Sequence, residues 1–536
     1  MIAAARGLLA EVVCLRSENA ELRRDFAQLK IDFQAVKDEL ARLKNLPPRP
    51  PIKPSGMDKA TSQPKSEGTE GAGDKKRRRG RVLDRLPISA TVVVKAEAPA
   101  GSRHKGYEEI VVQDLSLTAT ATLYRRERWE TPTGESVVAP LDPGIVGGFG
   151  ANLHRVVLQL HFQGQMTCER IVAFLNDIGV AISKRQVVRL LITKLETFRA
   201  EDAEVLKAGL KGDYISVDDT GARHAGKNAY TTQIGSDRFC VFRTGPNKSR
   251  LSFLSWLCGR TSLFVINQAA LDYMRQRALS DATIAKFAEL EDRVFDSKDA
   301  WERCLAVLGL YEMKGGALDP VTVATEGALW GAIRYQGLLE RAVILSDDAG
   351  HPGLDPGINV GLHALCWIHS ERLVHKLVPA NDKQRNAIEN AKRMIWWLYR
   401  QLKQYKLAPS PQRAEVLRGR FERIFGRAGT GHVTLDRLLK RLRANGPELL
   451  RVLDRPEIPL NTNETESNVR TMVTKRKVSG GTVSDKGRDA RDVMLGLYKT
   501  CRKLKISFFE FLGDRLSIPG RTIPPLPTLI LRPDTS

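Results

Sequence analysis

Four short stretches decide the fold class of this chain. Residues 213–223 read DYISVDDTGAR, residues 229–236 read AYTTQIGS, and residues 238–245 read RFCVFRTG. Their composition and the short gaps between them predict three sequential β-strands. A further apolar run, RAVILSDDAG at residues 341–350, again leads into two aspartates. Because the rest of the chain is mostly helical in period, the pattern predicts an α/β protein with acids at the strand ends of its sheet.

Two of these strands carry a pair of acids. Asp218 lies late in the first strand, and Asp219 beside it points to the opposite face because side chains alternate along a strand. Asp347 ends the fourth stretch and Asp348 follows it, so the sequence leaves open which of these two faces a site. We expect one acid of each pair to converge on a common site.

A third acid, Glu466, lies in LNTNETESNVRTMVTKRK at residues 460–477. It follows Asn463 by three residues, and this spacing of a helix-capping pair is an alternative explanation for it. Phosphoryl transfer between DNA oxygens uses two divalent cations about 4 Å apart. Magnesium prefers a few carboxylates and retains waters. Asp218, Asp347 and Glu466 are therefore candidate ligands for two ions of Mg²⁺ or Mn²⁺.

The composition favours an anionic partner. The 536 residues include 84 lysines and arginines against 62 acids, a formal net charge of +22. A charge of this size, gathered in runs, predicts binding to DNA or RNA, with a merely basic enzyme as the alternative. The length predicts more than one domain.

The cysteines and the hydropathy pattern predict a cytoplasmic protein. The seven cysteines are far apart and form no CxxC pair, which is typical of reduced thiols. No apolar run approaches the roughly 20 residues that a membrane span needs, and the amino terminus lacks the pattern of a secretion signal. We therefore expect no membrane partner.

The first 45 residues have a coiled-coil pattern. Apolar residues occupy almost every core heptad position from Ala5 to Leu43, with Asn19 at one of them. An asparagine there fixes the register and favours two parallel strands, so residues 1–45 are predicted to dimerise the chain. A single amphipathic helix folded back on the body is the alternative.

The other domain boundaries follow changes in composition and period. The predicted domains are a disordered, proline-rich and basic linker at 46–85, a small β-rich module at 86–142, a helical, helix-turn-helix-like region at 143–200, a catalytic domain at 201–478, and a carboxy-terminal helical tail at 479–536.

Three segments are candidates for DNA contact. Arg77, Arg78 and Arg79 belong to a basic run at the end of the linker that can neutralise phosphates. Arg185 and Arg189 lie on the second helix predicted within residues 166–195, where a turn containing a glycine separates two amphipathic stretches. That helix could enter a major groove, although hairpins of this shape are also simple packing units. A second basic stretch begins at residue 475 and suits phosphate contacts.

Taken together, these segments resemble the transposases of the insertion sequence 66 family over roughly residues 107–516. The residues that match the family's motifs are, in chain order, Asp218, Asp219 and Thr220; Ser346 and Asp347; Cys366, Trp367, His369 and Arg372; Asn463, Glu466 and Arg470; and the basic pair Arg476 and Lys477. The carboxy-terminal run VMLGLYKTCRKLKISFFEFLGDRL is also similar to the tail of the family.

The resemblance implies a fold and an activity. It implies a ribonuclease H-like mixed sheet as the catalytic core, with Asp218, Asp347 and Glu466 as the carboxylate triad. It also implies metal-dependent cleavage at the ends of an insertion sequence and strand transfer into target DNA. His369 and Arg372 would lie near the scissile phosphate or brace the acids, and Arg470 would orient Glu466 or meet the DNA backbone.

The chain departs from the family in two places. The family commonly has a small cysteine-containing zinc module after the tether, but no cysteine lies between Cys14 and Cys168, so no zinc is expected. Cys366 and His369 alone would not close a zinc site either. The stretch between the first two acids is long for the family, which indicates a helical insertion around residues 269–332.

The resemblance also implies partners and a location. These are the element's terminal repeats, target DNA, a second copy of the chain, and small accessory proteins of the same element, in a bacterial cytoplasm at the nucleoid. Two other functions remain open: a non-catalytic DNA-binding protein derived from a transposase, and a nuclease of the same fold that only hydrolyses.

Overall fold

The structure is a computed structural model that describes most of the chain after the linker. The described residues are 88–97, 99, 101–142, 144–259, 263–313, 318–347, 362–427 and 429–532. The predicted coiled coil at 1–45, the basic run with Arg77, Arg78 and Arg79, and Asp348 lie outside them.

The region predicted as a β-rich module differs from that prediction. Among its described residues there are two short strands, β1 at Arg128–Glu130 and β2 at Ser136–Val138, and they pair antiparallel. The described residues between 88 and 127 have no regular secondary structure, and apolar side chains such as Val94 and Ile110 are exposed. The strand prediction was wrong there because alternation makes a strand only where a neighbouring strand supplies hydrogen bonds and a face to bury.

In the part of the chain that the structure describes, four α-helices precede the central sheet. They are α1 at Ala151–Leu158, which continues into a π-helical turn at Gln159–Gln163, α2 at Cys168–Asp177, α3 at Lys184–Ile192, and α4 at Leu195–Gly209. The turn between α2 and α3 contains Gly179 in the left-handed conformation, and Ser183 caps α3 in a capping box with Gln186. These two helices form the hairpin expected from the sequence.

The antiparallel half of the central sheet comes next. It consists of β3 at Tyr214–His224, β4 at Lys227–Gly235 and β5 at Cys240–Gly245, each paired antiparallel with the next. These are the three strands predicted from residues 213–245.

A largely helical segment separates this half from the rest of the sheet. It comprises α5 at Arg250–Leu257, β6 at Phe264–Val265, α6 at Gln268–Gln276, α7 at Asp281–Ala288, β7 at Val294–Phe295, α8 at Lys298–Val307, and α9 at Pro320–Tyr335. Strands β6 and β7 form an antiparallel ladder that the sequence did not reveal. The ring of Trp301 stacks on Phe264 with centroids 5.4 Å apart, which gives this segment an aromatic core.

The parallel half completes a five-stranded mixed sheet. Strand β8 at Val343–Ser346 pairs parallel with β3, and β9 at Leu362–Leu365 pairs parallel with β8, so the order is β5-β4-β3-β8-β9. All four residues of β8 are buried, as expected for a strand covered on both faces. The mixed sheet surrounded by helices confirms the α/β class.

The remaining helices follow the sheet. They are α10 at Trp367–His375, α11 at Asp382–Leu407, α12 at Pro411–Phe425, α13 at Val433–Ala444, α14 at Gly446–Leu449, α15 at Asn463–Ser479, α16 at Asp485–Lys503, α17 at Phe508–Arg515, and α18 at Leu526–Leu531.

Helix α16 covers the outer edge of the sheet. The Thr500 hydroxyl accepts a hydrogen bond from the Cys240 N–H at 3.0 Å and donates to the Cys240 carbonyl oxygen at 3.1 Å. These bonds satisfy backbone groups of edge strand β5 that would otherwise lack a partner strand. Within the described residues, no helix is both long and apolar enough to cross a membrane.

Two helical glycines give a matched test of the packing in this fold. A Cβ added to Gly331 of α9 would lie 2.1 Å from the Val265 carbonyl oxygen, whereas one added to Gly419 of α12 meets no atom within 4 Å. We expect Gly331→Ala to lower the free energy of unfolding by about 1–3 kcal/mol through overpacking. Gly419→Ala should raise it by about 0.5–1 kcal/mol because alanine favours the helix.

Urea unfolding followed by circular dichroism measures both changes. If Gly331→Ala proved as stable as the parent chain, that result would contradict the close packing of α9 against β6.

Candidate active site

The parallel pairing of β3 with β8 aligns the first two candidate acids. In the register of these strands Tyr214 lies opposite Val343, and Ser216 lies opposite Leu345. Asp218 and Asp347 each follow the Ser216–Leu345 pair by two residues. Since residues two apart share a face of a strand, both carboxylates leave the same end of the sheet on the same side.

The two aspartates also interact electrostatically. Burial raises the pKa of Asp218 to about 6, and the nearby charge of Asp347 contributes to this shift. A hydrogen bond of 2.8 Å from the Asp219 N–H to Asp218 Oδ1 opposes it. Two carboxylates that repel each other in a partly desolvated place fit a divalent cation, which would favour their ionised forms.

Asp219 occupies a different environment from Asp218. Its register partner across the β3–β4 ladder is Thr232, whose hydroxyl donates a hydrogen bond to Asp219 Oδ1. The alternation expected from the sequence therefore separates the two neighbours, with Asp218 beside Asp347 and Asp219 against β4.

Helix α15 is fixed to the sheet beside these acids. The Thr465 hydroxyl donates to Ser216 Oγ at 2.6 Å, and both side chains are buried. The Thr462 N–H donates to Cys366 Sγ at 3.4 Å, and the Trp367 N–H donates to the Leu460 carbonyl oxygen at 3.0 Å. These bonds tie the start of α15 to β3 and to the start of α10, so Glu466 lies near the ends of β3 and β8.

Two arginine side chains lie against the carboxylate of Glu466. Arg372 approaches it with Nη1 at 2.9 Å from Oε1 and Nη2 at 3.4 Å from Oε2, a two-point contact that fixes its orientation. Arg470, one turn further along α15, has Nη2 at 3.7 Å from Oε2. The roles suggested for Arg372 and Arg470 are compatible with these positions.

The helix-capping explanation for Glu466 is wrong. The N-cap of α15 is Thr462 and makes no side-chain capping bond, whereas Asn463 is the first helical residue. The Asn463 N–H donates to Asn461 Oδ1 at 3.1 Å, and Glu466 is bound to Arg372. Spacing alone could not distinguish a capping residue from the residue after it.

His369 lies beside Glu466 and within electrostatic reach of Asp347. Its Nε2 lies 3.6 Å from Glu466 Oε1 and 3.3 Å from Arg372 Nη1. Burial disfavours the imidazolium, but a hydrogen bond with Cys366 and the charges of Asp347 and Glu466 outweigh burial and raise the pKa of His369. One imidazole therefore lies within electrostatic reach of the second and third acids.

The sequence did not indicate that His363 lies beside the candidate site. Its Nε2 lies 2.9 Å from Ser346 Oγ, the residue before Asp347. His363 belongs to β9, and the four-residue strand LHAL gives too short a signal to predict. In the sequence, the indication of this contact is the serine directly before Asp347, because its hydroxyl needs a hydrogen-bond partner.

The three acids do not close into a single metal cage. Among the described residues, no group of three or more histidine, cysteine, aspartate or glutamate side chains is placed to hold one metal ion. A pair of carboxylates such as Asp218 and Asp347 would suit a cation that retains waters. Glu466 in this conformation is a partner of Arg372 and His369 and would have to turn to join them.

Helices α3 and α15 carry DNA-contact candidates that the structure describes. Arg185 and Arg189 are exposed on α3, and Arg476 and Lys477 lie in the last turn of α15. Arg476 also reaches the sheet, because a Cβ added to Gly221 of β3 would lie 3.3 Å from its Nη1.

The chain is similar in sequence to known proteins. Residues 358–490 match the model of the family described as "Transposase IS66 family". The matched range contains His369, Arg372 and Glu466, whereas Asp218 and Asp347 lie before it. An uncharacterized protein, y4jO, of Sinorhizobium fredii is 48% identical over 327 residues, which are 61% of this chain and 99% of that protein. On these matches the chain belongs to the IS66 family of transposases.

Proposed function

We propose that the chain is a DNA transposase that cleaves DNA at the ends of an insertion sequence and joins the freed end to target DNA. The observation that carries the proposal is the alignment of Asp218 and Asp347 at the ends of adjacent parallel strands, with Glu466 on the helix beside them. The sheet would be a ribonuclease H-like core.

The reaction consists of two displacements at phosphorus. In the first, the oxygen of water bonds to phosphorus at the end of the element while the bond from phosphorus to the 3′ oxygen breaks, which leaves a 3′ hydroxyl. In the second, that hydroxyl oxygen bonds to a target phosphorus and displaces a 3′ oxygen of the target strand. Two bound Mg²⁺ or Mn²⁺ ions would activate the attacking oxygen and stabilise the leaving oxygen.

Each residue of the site has a role in this proposal. Asp218 and Asp347 would hold the ions, and Glu466 would complete the set of ligands when DNA engages Arg372 in its place. Arg372 would then exchange a carboxylate for a phosphate, two groups of similar geometry for a guanidinium. His369 would keep Glu466 close to the aspartates during that exchange.

Basic side chains on α3 and α15 would bind the DNA. Arg185 and Arg189, with Arg476 and Lys477, would bind backbone phosphates of the terminal repeats or the target. Residues 1–45 would dimerise the chain so that two ends are held together, and accessory proteins of the element would assist at the nucleoid.

Strand transfer in vitro tests the proposal. Purified full-length protein, Mg²⁺ or Mn²⁺ and labelled DNA with the native ends should yield joined product. Asp218→Asn, Asp347→Asn and Glu466→Gln should each reduce it by at least about 10³-fold, because each removes a charge needed in both displacements. Asp292→Asn, at an exposed aspartate between α7 and β7, is the matched control and should retain activity.

The two other functions predict different products. Binding without cutting, with accessory proteins present, would leave a non-catalytic DNA-binding protein. Cut DNA without joined product would indicate a nuclease that only hydrolyses.

Metal affinity gives a second test that needs no DNA. We expect Mn²⁺ titrated into the protein to bind, and Asp218→Asn or Asp347→Asn to weaken this binding by at least about tenfold. Glu466→Gln should change it less because Arg372 already neutralises that carboxylate. Isothermal titration calorimetry measures all three, with Asp292→Asn as control. Equal effects of all three substitutions would contradict the separate position of Glu466.

A further inference from the structure

A cleft separates the helical hairpin from the carboxy-terminal end of α15. We call it the hairpin cleft. One wall comes from α2, α3 and the π-helical turn before them, and the other from the end of α15, residues 481–483 and the start of α16. Its volume is about 430 Å³, which lies in the range of small-molecule sites and is far too small for a DNA duplex.

The lining of the hairpin cleft is cationic. Lys184, Lys475, Arg476 and Arg491 line it, and Glu169 is the acid among the lining residues. Glu169 pairs with Lys184 at the exposed rim. Arg491 bonds to the carboxylate of Asp492 and to the Thr244 hydroxyl.

Lys475 is the deepest of these cations. It is 3% exposed, and its ammonium group donates to the carbonyl oxygens of His161 at 2.9 Å and Met166 at 3.3 Å. These acceptors are neutral, so they satisfy hydrogen bonds without cancelling the charge. Burial lowers the pKa of Lys475 to about 8, which still leaves it protonated at neutral pH. The cleft therefore has a cationic group at its base as well as at its rim.

Apolar side chains form most of the remaining wall. Phe162, Leu191 and Val478 are among them. Val188 is 42% exposed between the charged residues of α3 and faces the same cleft. A small inorganic anion would leave these apolar surfaces in water, whereas a ligand with both a phosphate and a ring system would cover them.

The hairpin cleft is also connected to the candidate active site. The Thr482 N–H donates to the Arg223 carbonyl oxygen of β3 at 3.1 Å, and His224 Nδ1 lies 2.9 Å from Thr482 Oγ1. Helix α15 carries Glu466 and, nine residues later, Lys475. At 1.5 Å per residue they lie about 14 Å apart along the helix, the length of a few nucleotides of a DNA strand.

We propose that the hairpin cleft binds one unpaired nucleotide of a DNA strand, with its phosphate at the basic rim and its base against the apolar wall. The proposal rests on the proposed function, since it supposes that the strand continues to the acids. In this proposal α3 contacts a single strand of DNA. The hairpin and the basic end of α15 then act as the two sides of one nucleotide site.

Equilibrium binding in EDTA tests the proposal without catalysis. The full-length protein is titrated, by fluorescence anisotropy, into a short blunt duplex and into the same duplex with a short unpaired overhang. We expect the overhang to tighten binding by about tenfold. Val188→Glu, which places a negative charge in the cleft, should abolish this preference. Val416→Glu, at an exposed valine of α12, is the matched control and should keep it.

A second variant and a second signal keep the test independent of folding. Arg476→Gln should reduce the preference without adding a charge. A 2-aminopurine in the overhang should change its emission on binding to the parent chain, and not to Val188→Glu. Equal affinity of the parent chain for both duplexes, or equal preference in Val188→Glu and Val416→Glu, overturns the nucleotide site.

The outcomes also separate this proposal from the proposed function. Strand transfer that depends on Asp218, together with no overhang preference, refutes the nucleotide site alone. No binding to either duplex refutes both.

Discussion

The parallel pairing of β3 with β8 is the constraint on which the candidate site depends. A register shift of one residue would move Asp347 to the opposite face and break its relation to Asp218. Backbone pairing holds the register, because β8 is bonded to β3 on one side and to β9 on the other. Strands of hydrophobic side chains thus fix two charges that repel each other. Such a pair is costly for stability by itself, and the proposed cation would offset that cost.

The third acid is positioned by a different kind of interaction. Glu466 is placed by hydrogen bonds of its neighbours, above all that of Thr465 with Ser216, and its carboxylate is held by Arg372 and His369. The contacts of Glu466 with Arg372 and His369 can be replaced by others, whereas the pairing register of β3 and β8 is fixed. The proposed site therefore has a rigid pair of aspartates and a glutamate whose contacts can exchange.

Sequence patterns predicted those parts of the fold whose signal is local. Strands β3, β4, β5 and β8 and the hairpin of α2 and α3 follow from period, turn residues and caps. Strand β9 and the β6–β7 ladder are too short to be recognised, and the segment near Val94 and Ile110 has a strand pattern without a partner. The acids could be named from strand ends and the family resemblance, but the Arg372–Glu466 pair joins residues distant in sequence and required the fold.

A crystal of the full chain, soaked with Mn²⁺ and examined by anomalous scattering, tests most directly whether Asp218 and Asp347 hold a divalent cation. We predict a manganese peak between the carboxylates of Asp218 and Asp347, with Arg372 still bound to Glu466 unless DNA is present. Manganese bound elsewhere, with these two carboxylates turned apart, would contradict it.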